Sequence, residues 1–157
     1  MEKYLQILEE SLIKKDGLLN KILTCSKRQE ELLREERLDF ERFDDLVNEK
    51  DGYVDELVRL DEGFENLYAN VSAELNKNRA LYKNEIGRMQ KSIAGITEKS
   101  VEIQALEARN KSALEKCFQK ERSNLRTGRQ SSAAAYNYYR NMSYGNVPGP
   151  SILDEKN

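Results

Sequence analysis

The chain has 157 residues, a formal net charge of −2, 34% charged residues, and neither histidine nor tryptophan. That length fits one compact domain, and the lack of histidine removes the commonest general base and the imidazole metal ligand. The polar composition suits long, narrow helices that expose much of their surface.

The charge is uneven. Residues 1–115 hold 19 Lys and Arg against 25 Asp and Glu, whereas residues 116–157 hold 7 against 3. An acidic body would repel phosphate, so the basic end reads as a solvated helix terminus suited to the negative end of a helix dipole, and no nucleic acid partner is expected. The first ten residues lack the apolar core and cleavage pattern of a signal peptide. No apolar run approaches the ~18 residues of a membrane span. The expectation is a soluble, cytoplasmic protein without membrane insertion.

An apolar beat of three and four runs from Leu5 to about Leu125, the signature of amphipathic helices. The only prolines are Pro148 and Pro150, so the body is free of the strongest helix breaker. A first helix is predicted from about Lys3 to Glu36, on Leu5, Leu8, Leu12, Leu19, Ile22, Leu32 and Leu33. Lys15 is a gap in that stripe, and Gly17 a place for a bend. Glu10 with Lys14 and Glu30 with Arg34 are favourable i,i+4 pairs.

A turn follows at Arg37–Asp39. Asp39 can cap the next helix, and Leu38 and Phe43 then occupy the two positions of a hydrophobic staple. The second stripe is Phe43, Leu46, Tyr53, Leu57, Leu60, Phe64, Leu67 and Val71. Lys50 interrupts it, with its stem expected along the seam and its ammonium in water.

After Val71 the stripe changes phase, which reads as a turn near Asn76-Lys77-Asn78. One helix from Asp39 to Leu125 would be roughly 130 Å long with little to pack against. A third helix is predicted from about Asn78 to Leu125, on Leu75, Tyr82, Ile86, Met89, Ile93, Ile96, Ile103, Leu114 and Cys117. At roughly 70 Å it would overhang neighbours of roughly 50 Å. Leu114, Phe118 and Leu125 would then lack a partner in the monomer and mark an interface, unless the helix bends back or pairs in a homodimer.

Beyond Leu125 a break is predicted at Gly128. A short helix at Ala133–Gly145 carries Tyr136, Tyr138, Tyr139 and Tyr144, and a flexible end follows. These tyrosines either anchor a partner or dock back on the bundle. The expected architecture is all-α: an antiparallel bundle of three long helices with coiled-coil-like packing over residues 1–127, and a tail over 128–157.

The sequence offers little chemistry. Cys25 and Cys117 match no metal spacing and read as small packing residues. Glu35-Glu36 and Asp44-Asp45 fall on predicted solvent faces. Glu-x-x-His metal pairs and Gly-rich phosphate loops are both missing. No enzyme, cofactor or metal is expected.

Gln29 to Phe64 resembles the first helical hairpin of flagellar type III export chaperones of the FlgN kind: a long helix, a short acidic turn, then a leucine-rich helix with a Glu-Lys pair, here Glu49-Lys50. Ile96 to Leu114 is similar to that family's third helix, which carries an asparagine near its middle, here Asn110. Tyr144-Gly145 resembles the tail tyrosine presented to the export gate, although several tyrosines compete for that part. Chaperones of the filament cap protein, the FliT kind, have a similar hairpin.

The resemblance implies a chaperone that binds the C-terminal amphipathic helices of hook-associated proteins and delivers them to the export gate. Ile103, Leu106, Leu114, Phe118 and Leu125 would form the cargo groove, and Tyr136, Tyr138, Tyr139 and Tyr144 the gate contact. The competing expectation is a structural coiled coil whose stripes serve only self-association.

Overall fold

The computed structural model describes residues 1–121. The expectations for Leu125, Gly128, the short helix at Ala133–Gly145 and its tyrosines Tyr136, Tyr138, Tyr139 and Tyr144 lie outside the described residues.

The described residues form three helices: α1 (Glu2–Leu33), α2 (Phe40–Lys77) and α3 (Lys83–Lys120). α1 is unbroken through Gly17 and ends three residues earlier than predicted. Its last turns hold Glu30 and Glu31, with Glu35 and Glu36 beyond and no base in the final turn. Carboxylates are unfavourable at the negative end of a helix. The Glu30–Arg34 pair forms, at 3.6 Å.

The first turn follows the predicted chemistry. The Asp39 side chain accepts from the Arg42 backbone N–H and caps α2. Leu38 and Phe43 are buried in one cluster, the staple that fixes the chain's entry into the helix. The second turn lies slightly later than the predicted Asn76-Lys77-Asn78: α2 continues through Lys77 and the turn occupies residues 78–82. Asn78 ends α2, and its side-chain amide donates to the Glu74 carbonyl. Both reversals therefore arise from local residues.

α1 is the element on which both other helices pack closely. Ion pairs set the directions. Glu9–Arg88 (2.9 Å), Asp16–Lys99 (2.6 Å) and Glu30–Arg109 (3.5 Å) ascend both α1 and α3, so these two run parallel. Lys15 pairs with Asp61 at 2.9 Å and Cys25 with Glu49, so α2 descends as α1 ascends. The gap at Lys15 is thereby filled: the residue is buried, and its charge meets a carboxylate.

This arrangement removes the expected overhang. α3 begins at Lys83, five residues later than predicted, and matches α2 in length at 38 residues. Its final turns lie against the start of α2. Leu114 is buried with Leu32, Leu38, Phe43 and Val47, and the Phe118 ring stacks on Phe40 at 5.9 Å. No helix of the described residues is long and apolar enough to cross a membrane.

Candidate functional site

The interior holds two apolar clusters. The larger includes Leu5, Leu8, Ile22, Leu57, Phe64, Met89, Ile96, Ile103 and Leu106. The smaller, at the end with the α1–α2 turn, holds Leu32, Leu38, Phe43, Val47 and Leu114. Between them lies a layer of buried polar side chains from all three helices: Ser26 and Gln29, Lys50, Glu107 and Asn110.

Lys50 is the centre of that layer. Its Nζ donates to both oxygens of Glu107, at 2.8 and 2.9 Å, and to Ser26 Oγ at 3.3 Å. Ser26 Oγ in turn donates to Glu107 Oε1. The Asn110 amide donates to the Ser26 backbone carbonyl at 2.9 Å. The Lys50 and Glu107 side chains are both fully buried. This corrects the expectation that the Lys50 ammonium reaches water: a matched carboxylate and a hydroxyl hold it inside. Burial pushes its pKa down, and the charge and hydrogen bonds of Glu107 oppose that shift. Such a pair adds little net stability over apolar residues of the same size, but losing one partner strands a buried charge.

Two neighbours complete the layer. Gln29 donates to the Phe43 carbonyl at 3.4 Å, while its buried Oε1 has no hydrogen-bond partner among the described residues. The Cys25 thiol donates to Glu49, and burial with that hydrogen bond pushes its pKa up to about 12. Cys25 is buried and Cys117 partly so, and both are free thiols, in line with packing roles. Glu35, Glu36 and Asp45 are exposed as predicted, and Asp44 is half-buried.

The residues predicted to receive cargo do not form an open groove. Ile103 and Leu106 sit in the larger cluster and Leu114 in the smaller, each almost fully buried, and Phe118 is partly covered by Phe40. Together they close the monomer. The physical reason is the parallel register of α1 and α3, which brings an apolar face opposite each of them. Leu125 lies outside the described residues.

A partly covered apolar row lies elsewhere, packed on one side against the core. The α2 stripe divides into two rows, each spaced by seven residues. Phe43, Lys50, Leu57, Phe64 and Val71 are buried, whereas Leu46, Tyr53, Leu60 and Leu67 are only half-covered. Along α1, Leu18 and Leu32 flank that second row. The result is a shallow groove between α1 and α2. One stretch of about 580 Å³ is lined by Lys14, Gly17, Leu18, Lys21, Glu56, Arg59 and Leu60. A second, of about 440 Å³, is lined by Arg28, Glu31, Leu32, Glu35, Arg42, Asp45 and Leu46. Between the two, the Lys21 ammonium lies 5.6 Å from the centre of the Tyr53 ring.

Some of this was readable in the sequence and was missed. Lys50 interrupts the stripe of α2, and Glu107 falls in the buried phase of α3 between Ile103 and Leu114. Two opposite charges, each at an interior position of a different helix, are the signal of a buried pair. Comparison of the chain with protein-family models, with curated protein sequences and with solved structures found no match.

Proposed function

We propose that this chain is a cytoplasmic flagellar export chaperone, which binds the C-terminal amphipathic helices of hook-associated proteins, keeps them from assembling early and delivers them to the export gate. The observation that carries the reading is the half-covered row Leu46, Tyr53, Leu60 and Leu67. It is an apolar helix face that the monomer does not fully use and is therefore suited to helix-in-groove binding. The resemblance adds weight, because its two mid-chain features meet in one layer: Lys50 and Asn110 both bond to Ser26. These residues act as scaffold, since a buried ion pair and a buried amide cannot touch a partner. The reading assigns no catalysis and no cofactor to the chain.

The test is calorimetric titration with the C-terminal helical segments of hook-associated and filament-cap proteins from the same cell. Micromolar or tighter binding to one segment supports the reading and selects the cargo. A folded sample that binds none, and that sediments as an oligomer, would favour a self-associating coiled coil.

A further inference from the structure

The groove between α1 and α2 is electrically polarised along its length. At the Leu18–Leu60 end it carries Lys14, Lys21 and Arg59 against the single carboxylate Glu56. At the Leu32–Leu46 end, Glu31, Glu35 and Asp45 outnumber Arg28 and Arg42. Lys14 and Arg59 also differ from the cations on the α3 side of the bundle. Lys99, Arg88 and Arg109 are each matched by a carboxylate across the helix pair, whereas no ion pair joins Lys14 or Arg59 to the rest of the described residues.

An α-helix is itself polarised, with partial positive charge at its N-terminus and partial negative charge at its C-terminus. A helix laid along the groove therefore has a preferred direction. Its C-terminal end belongs over Lys14, Lys21 and Arg59, and its N-terminal end beside Glu31, Glu35 and Asp45. That direction is antiparallel to α1 and parallel to α2. A helix that stops there adds a full carboxylate charge where the cations lie. Its apolar face meets Leu18, Leu60, Tyr53, Leu32 and Leu46. Gly17 leaves the basic end open, since a Cβ at that position would meet nothing within 4 Å.

We infer that this groove is a docking site for an amphipathic helix ending in a free carboxylate, held with that end over Lys14, Lys21 and Arg59. The inference rests on the chain being a binder of such helices, and it adds where the helix lies and which way it points.

The experiment uses the full chain and a cargo C-terminal segment synthesised twice, with a free carboxylate and as the C-terminal amide. Wild type should bind the acid form several-fold more tightly, with a difference that shrinks as salt rises. In the Lys14→Glu/Arg59→Glu variant the acid form should weaken about tenfold and its advantage over the amide should vanish, which isolates the coupling between carboxylate and cations. Gly17→Phe places a ring in the groove from a position where an added Cβ meets nothing within 4 Å, leaves the number of charges unchanged, and should abolish binding of both forms while the helical signal is kept. If wild type binds the segment and neither variant alters the affinity, the groove assignment is overturned and the chaperone reading survives. If wild type binds no segment, both fall.

Discussion

The two sides of α1 treat charge in opposite ways. On the side that faces α3 and the bundle interior, charged groups are matched: Lys50 with Glu107, Asp16 with Lys99, Glu9 with Arg88. On the outer side, along the groove with α2, cations gather at one end beside a half-covered apolar row. Low dielectric demands the match at Lys50 and Glu107, where an unmatched buried charge costs several kcal/mol, while Asp16–Lys99 and Glu9–Arg88 are partly exposed pairs that gain only modestly from their proximity. Water tolerates the outer pattern, because exposed charges are solvated and screened. Unmatched surface charge is therefore free to serve a partner, while buried charge is committed to holding the fold.

The largest predicted effect tests that division. Glu107→Leu leaves the Lys50 ammonium buried without its carboxylate and should cost about 3–5 kcal/mol in urea unfolding. Adding Lys50→Met to it should recover the loss and reach or exceed wild-type stability. Neither change should alter helix affinity once the protein is folded. A double variant as unstable as the single would mean that the polar layer stabilises by more than mutual compensation.

Smaller effects sharpen the same contrast. Asp39→Ala removes the cap of α2 and should lower stability by about 1 kcal/mol, read as a shift in unfolding midpoint at constant slope. Gln29→Met deletes the buried unpaired Oε1 and should leave stability unchanged or raise it by about 1 kcal/mol, because an unsatisfied buried acceptor is a standing cost. An appreciable loss would reveal a partner for that oxygen.

The turns were legible in the sequence because they depend on neighbours. Asp39, Leu38 and Phe43 lie within six residues of one another, and their roles follow from capping rules alone. The three-helix fold was legible for a similar reason: stripe phase reports helix existence and length. Periodicity says which face is apolar, but not what covers it. Ile103, Leu106 and Leu114 therefore read as an open groove until the register of α3 against α1 was known. The depth of Lys50 was hidden because it depends on Glu107, far away along the chain. The split of the α2 stripe into a buried and a half-covered row likewise needs the positions of both neighbouring helices.

An effect absent at neutral pH and seen only in alkali concerns Cys25. Its pKa in the folded state, about 12, lies above the ordinary thiol value of 9.0. The folded protein thus holds this proton more tightly than the unfolded chain. The resulting contribution to stability is complete below pH 9 and is lost as pH climbs from 9 towards 12. Cys25→Ser should flatten that decline in thermal unfolding. At pH 8 the native protein should be alkylated at half-buried Cys117 well before Cys25.

The most direct test of the division between scaffold and binding surface is a map of backbone amide shifts in the isotopically labelled chain as a cargo C-terminal helix is added. The account predicts shifts along Lys14–Lys21 and at Leu46, Tyr53 and Leu60, with Ser26, Glu107, Asn110 and Leu114 little changed. Shifts centred on Ile103, Leu114 and Phe118, with the outer groove silent, would contradict it and return the binding site to α3.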